Sequence, residues 1–201
     1  MAKIKYTKNE LKAQRDALSR FTRYLPTLLL KKQQLQVELR ALDLQIEAKR
    51  GEEDQARTDL AAWVKIFSDP FDFEPYIQVR DIQRSRGNIA GVTIPIFGSI
   101  SFVEETPDLF ETAAWVDAGI ELLRHLIRLR VERRIIEEQH RLLSDELRTT
   151  SQRVNLFEKV KIPECKENIR VIRIFMGDQQ TAAVARSKIA KGKSAEKVTA
   201  A

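Results

Sequence analysis

Apolar residues in the first third of the chain recur in alternating steps of three and four. Starting at Ile4, the stripe passes through Leu11, Leu18, Leu25, Leu35, Leu42 and Leu60 to Phe67, and fourteen of its nineteen positions are apolar. The overall hydrophobic content of 43% would give about eight by chance. A 3.5-residue repeat keeps one stripe facing a partner helix, so the spacing predicts a coiled-coil seam. The first helix is expected over residues 1–68, with the seam rising roughly 95 Å along its axis. No glycine precedes Gly51, and Pro26 is the one breaker, expected to bend the helix without ending it. The stop is expected near Ser68-Asp69-Pro70.

The pattern changes over residues 69–105. Val92, Ile94 and Ile96 alternate, as do Ile77 with Val79 and Ile100 with Phe102, between turn signals at Ser85-Arg86-Gly87-Asn88 and Phe97-Gly98-Ser99. This predicts a small knob containing a β-hairpin. Its apolar set, Ile89, Val92, Ile94, Ile96 and Phe97, either forms the knob's own core or faces a partner, because so small a hairpin cannot bury both faces.

Thr106-Pro107-Asp108 is a helix-start signal, and a second arm is expected over residues 106–190. Its stripe runs from Val116 through Ile120, Leu123, Ile127, Val131 and Ile135, with a stutter where it steps by four twice. It continues at Leu143, Leu147, Val154 and Phe157 and resumes at Ile169, Ile172, Met176 and Ala183. Pro163 predicts a kink or short break near 160–166, and residues 191–201 read as a flexible basic tail. Two seams flanking one knob imply a mainly α fold. It is a long antiparallel two-helix coiled coil, with the hairpin knob at the end opposite the termini. Trp63 falls on the seam as core, and Trp115 is placed to pack the knob onto the coil.

Charge refines this picture. The 201 residues carry 35 Lys and Arg against 29 Asp and Glu, a net charge of +6. Residues 1–32 hold +7 and residues 183–201 hold +4, leaving −5 for the remainder. In an antiparallel hairpin these segments meet at a basic tip bearing Lys5, Lys8, Lys12, Arg15, Arg186, Lys188 and Lys191. That tip is either a solvated helix end or a partner surface. Nucleic acid is disfavoured, since the tip offers only Tyr6 and Phe21 for stacking and shows no nucleic-acid domain signature. Lys32, Lys49 and Glu53 interrupt the seam. Their stems pack while their heads reach water, or they set the register or mark a docking position.

One cysteine and two histidines exclude a disulfide framework, a cysteine zinc site and a histidine metal cluster. No nucleophile–base pair stands out. Gly192-Lys193-Ser194 lacks the glycine that a phosphate-binding loop needs at position 187, where Ser187 stands. No cofactor is expected. The longest mostly apolar run, Ile89 to Val103, has about 15 residues against the roughly 20 of a membrane span. With no signal peptide at its start, the protein is expected to be soluble and intracellular.

Several stretches resemble one family. Thr7-Lys8-Asn9-Glu10-Leu11 through Leu28-Leu29-Leu30-Lys31-Lys32-Gln33-Gln34-Leu35 resembles the first helix of the D subunit of V-type and A/V-type ATPases. Asn88-Ile89-Ala90-Gly91-Val92-Thr93-Ile94-Pro95 looks like that family's hairpin. Arg153-Val154-Asn155-Leu156-Phe157-Glu158 with Ile162-Pro163 is similar to its Arg-Val-Asn-Ala-Leu-Glu and Ile-Pro elements, departing at Leu156 and Phe157. The resemblance implies a central rotor shaft without a nucleotide site of its own. Its partners would be the A and B subunits of the head, the F subunit, and a cup-shaped subunit linking to the membrane ring. It would sit in the cytoplasm, peripheral to the membrane, and couple ATP synthesis or hydrolysis to proton or sodium transport. A prefoldin-like coiled-coil chaperone and a basic nucleic-acid- or membrane-binding arm are the alternatives.

Overall fold

A computed structural model describes residues 4–63, 71–105, 107–108, 112–113 and 115–199. The chain forms two compact units, Met1–Leu30 with Thr150–Ala201, and Lys31–Thr149. Helix α1 covers Lys8–Trp63 and a short α2 covers Glu74–Ile77. Strands β1 (Val79–Ile89) and β2 (Val92–Phe102) form the hairpin. Helix α3 covers Val116–Leu156, and a π-turn at Phe157–Lys161 leads into α4, Ile162–Thr199.

Thr7 opens α1, its hydroxyl accepting the Glu10 N–H at 3.3 Å, as an N-cap does for an orphan donor. Pro26 lies inside the helix, where it deprives the Thr22 carbonyl of a helical partner without ending the run. The seam holds: every described position from Leu11 to Leu60 is buried or half-buried. The expected stop at Ser68-Asp69-Pro70 and the seam residue Phe67 lie outside the described residues.

In the unit of residues 31–149, Leu35, Leu39 and Leu42 of α1 pack with Leu143 of α3 and Ile94 of β2. Cross-helix pairs run antiparallel, from Lys31–Glu146 to Glu53–Arg133. The expected coil with a β-hairpin knob is present, and the hairpin packs onto the coil. Its turn residues Ile89, Ala90 and Val92 pack onto the same cluster, and Gln139 of α3 donates to the Pro95 carbonyl. Helix α3 therefore has two neighbours, α1 and the hairpin. Its buried residues spread wider than one seam, taking in Leu129 and Gln139.

The hairpin turns through Ala90 (φ 51°) and Gly91 (φ 82°), the two positive-φ positions of a two-residue primed turn. The Asn88 side chain accepts the Gly91 N–H at 3.0 Å. The register breaks between Gln83 and Arg84, opposite Gly98. A Cβ on Gly98 would stand 3.0 Å from the Gln83 carbonyl oxygen. Ile94 and Ile100, on either side of this bulge, are both buried.

In the other unit, Leu11 of α1 packs with Ile169 and Ile172 of α4, flanked by Ile4, Leu18 and Met176. Two ring contacts repeat the antiparallel order, Tyr6 with Phe175 and Phe21 with Phe157, each at 4.9 Å.

Two expectations about the second arm need correction. The first concerns the helix start, for α3 begins at Val116 and not at the Thr106-Pro107-Asp108 signal. Pro107 and Asp108 are not helical, and Thr106 lies outside the described residues. The second concerns the form of the interruption near Pro163, which is a π-turn between α3 and α4. Proline has no N–H, and its ring clashes with the carbonyl four residues back, that of Lys159. The Ile162 N–H instead bonds the Phe157 carbonyl, a spacing of five. The seam steps accordingly. From Val154 to Phe157 is three, to Ile162 five, to Cys165 three, to Ile169 four, to Ile172 three. The π-turn thus absorbs one residue beyond a strict heptad and returns Cys165, Ile169 and Ile172 to the buried face. Helix α4 then continues to Thr199, so residues 191–199 of the expected flexible basic tail are helical.

Deleting Lys159 together with Pro163→Ala should leave a regular heptad and cost less than about 1 kcal/mol in thermal unfolding. Deleting Arg170 instead throws Ile172 off the seam and should cost about 2 kcal/mol or more. Equal losses for the two deletions would refute the one-residue account of the π-turn.

Candidate partner-binding surfaces

The basic residues of the expected tip all belong to the unit of residues 1–30 and 150–201, and all are exposed. They do not form one cluster. Lys8, Lys12 and Arg15 lie on the part of α1 packed against residues 169–176 of α4, with Lys5 just before it. Arg186, Lys188 and Lys191 lie farther along α4, beyond Met176, the last residue of the packed cluster. Ten residues separate Arg186 from Met176, about 15 Å of helix.

Arg15 joins a different set. With Arg23 of α1 and Lys166 and Arg173 of α4 it lines a groove floored by Leu18 and Ile169 and edged by Ser19 and Thr22. No carboxylate lines this groove. Charge totals miss it, although the spacing carries a signal for it: cations eight apart on one helix and seven apart on the other, each spacing returning to one face.

The hairpin set divides. Ile94 is buried, and Ile89 and Val92 pack against Leu35, Leu39, Leu42 and Leu143, so this part is covered by the protein's own coil. Phe97 is half-buried, and Ile96 is open at 41% exposure. In the family-like motif, Val154 is buried in the seam, while Arg153, Asn155, Glu158 and Pro163 are exposed around the π-turn.

Two of the seam's polar interruptions, Lys49 and Glu53, are held by ion pairs. Glu53 is 4% exposed and is bonded by Arg133 Nε at 2.9 Å and Arg57 at 2.6 Å. Arg133 also reaches Glu137. Lys49 lies 2.7 Å from Glu52 and 3.0 Å from Glu132. His140 Nε2 is 3.1 Å from Asp43. A buried carboxylate with two guanidinium partners is compensated and fixes which residues face each other. Lys32 is half-buried on the same stripe.

Arg124 carries no distinguishing sequence signal. Its guanidinium donates to the Tyr76 carbonyl at 2.9 Å and the Val103 carbonyl at 3.1 Å, and lies 5.5 Å from the Phe102 ring centroid. It ties the base of the hairpin to α3. Beside it Phe71, Phe73, Tyr76 and Trp115 form a chain of ring contacts, in which Trp115 meets Phe73 at 6.0 Å. Cys165 is buried, and that burial pushes its thiol pKa up, which suits packing and not reactivity. Among the described residues no helix is long and apolar enough to cross a membrane.

Comparison with known proteins gives one consistent result. The family model for the D subunit of ATP synthase matches residues 10–192. The V-type ATP synthase D subunit of Borreliella burgdorferi is 51% identical over 191 residues, 95% of each chain. Those of Chlamydia abortus and Chlamydia felis are 32% and 33% identical over 195 residues, 96% of this chain and 94% of each relative.

Two outcomes are expected from these contacts. Arg124→Ala should free residues 79–103 to exchange amide hydrogens faster and cost about 1.5–3 kcal/mol for the charged hydrogen bonds lost. Unchanged protection of β1 and β2 would contradict the clamp. The hydrogen bond to Glu52, then that to Glu132, raises the Lys49 pKa above its ordinary 10.5. Its contribution is therefore fully present below pH 10.5 and lost as pH rises through the raised value. The melting-temperature gap between wild type and Lys49→Met should close across that alkaline window, and a constant gap would rule the contribution out.

Proposed function

This chain belongs to the D-subunit family of ATP synthases, the central-stalk component of V-type rotary ATPases, and from that premise we propose how its surfaces serve the motor. The chain is a non-catalytic shaft. It runs between a head of A and B subunits and, with the F subunit and a cup-shaped subunit, the membrane rotor ring. It remains peripheral to the membrane as part of that complex. Which way the motor runs, and whether protons or sodium ions move, is set by the other subunits.

The observation that carries this reading is the contrast between seam and surface. Lys49 and Glu53 of the seam are cross-paired with Glu132 and Arg133, which fixes how the two helices of the coil face each other. A shaft needs that, because slippage between its helices would dissipate torque. By contrast Lys5, Lys8, Lys12, Arg186, Lys188 and Lys191 are exposed and form no ion pair among the described residues. They are the groups available to make different contacts with successive faces of the head. Only differential contacts of that kind couple shaft angle to nucleotide state. On the hairpin, Ile96 and Phe97 are the apolar positions left for a partner subunit, and around the π-turn Arg153, Asn155 and Glu158 present polar groups outward.

Reversing Lys5, Lys8, Lys12, Arg186 and Lys188 to Glu should lower the coupled ATPase rate of the reconstituted complex roughly tenfold. The reversed shaft should keep its own helicity. An unchanged rate with full assembly would show that these cations make no working contact.

A further inference from the structure

The groove on the unit of residues 1–30 and 150–201 is unlike the rest of the basic surface. Arg15, Arg23, Lys166 and Arg173 converge on it, and no carboxylate lines it. None of the four forms an ion pair among the described residues, although neighbouring cations do, Lys161 of the π-turn with Glu164 at 2.9 Å and Arg170 with Glu167 at 2.7 Å. Glu164 and Glu167 are thus taken by cations outside the groove. Four like charges around a floor of Leu18 and Ile169 repel one another with no counter-charge in the lining.

We infer that this groove receives the carboxylate side chains of an acidic peptide segment from a partner subunit. Three of the four cations are arginines, whose planar fork takes a carboxylate bidentately. Ser19 and Thr22 add hydroxyls at the edge. Spacing favours a peptide over a single small anion: Arg15 to Arg23 spans about 12 Å of helix and Lys166 to Arg173 about 10 Å. One phosphate cannot bridge such a span, whereas successive side chains of a peptide can. The lining has no aromatic ring on which a base could stack, which disfavours single-stranded nucleic acid. The inference rests on the shaft reading and adds to it a particular groove and the chemistry of what fills it.

Lys166 makes the test specific, because it is the one primary amine in the lining. A water-soluble carbodiimide joins an amine to a carboxylate in direct contact, forming an amide with loss of one water to the reagent. The full chain assembled with its head subunits is treated and the linked peptides are read by mass spectrometry. A link from Lys166 to an Asp or Glu of a head subunit is expected. Lys166→Arg should abolish it, and Arg15→Gln with Arg23→Gln and Arg173→Gln should lower its yield roughly tenfold. An assembled, ATP-hydrolysing complex in which Lys166 forms no link to another subunit overturns the groove assignment alone. So does protection of Lys166 from amine labelling by inorganic phosphate with no such link, which makes the groove a small-anion site. Failure of the wild-type chain to assemble with the head overturns the shaft reading, and the groove assignment with it.

Discussion

The structure depends on one constraint, the unbroken 3.5-residue repeat of apolar positions along α1. A helix with such a stripe cannot leave it in water, and whatever packs on it must present matching side chains in the same phase. In one unit the matching residues come from α3, with Leu143 against Leu35, Leu39 and Leu42. In the other they come from α4, with Ile169 and Ile172 against Leu11. The second arm carries a proline and an extra residue that would break phase. The π-turn at Phe157–Lys161 removes the conflict by taking up one residue where proline already lacks a donor. The charged seam positions obey the same constraint, since Glu53 can be buried only because Arg133 and Arg57 reach it.

The hairpin is the second consequence of limited apolar surface. Two strands are too few to stand alone, so the face carrying Ile94 closes on the coil and the base is clamped by Arg124. A bulge at Gly98 and a primed turn at Ala90-Gly91 supply the bend and twist that this packing needs. What remains outside is a polar surface with Ile96 open.

Local periodicity makes much of this legible. The α1 stripe is readable residue by residue because a coiled-coil seam is a short-range signal repeated many times. The strands are readable because alternation is local too, but their turn is not: Ser85-Arg86-Gly87-Asn88 and Phe97-Gly98-Ser99 read as turn signals, yet they lie inside β1 and β2, and the chain reverses at Ala90-Gly91. What escapes depends on neighbours distant in sequence. Thr106-Pro107-Asp108 has the chemistry of a helix start, yet α3 waits until Val116 because local capping strength does not decide where packing begins. Pro163 reads as a break because the five-residue step that rescues the seam is visible only once Phe157 and Cys165 are known to face the same partner. Charge totals alone draw a single basic tip. The structure separates Arg186, Lys188 and Lys191 from Lys8 and Lys12, and moves Arg15 into a groove with residues that no local window connects. Arg124 reads as one more surface cation until the carbonyls of Tyr76 and Val103 are placed beside it.

Membership of the D-subunit family gives these features a common purpose. A seam without slippage, a helix kept in phase across a proline, and surface cations without internal partners are together what a rotating axle requires. The most direct measurement is of motion itself. A probe attached through a cysteine introduced at the exposed Glu105 would be followed in single complexes immobilised by the head and supplied with ATP. Stepwise rotation in one direction is expected. A probe that stays fixed while the same complexes hydrolyse ATP would contradict the account.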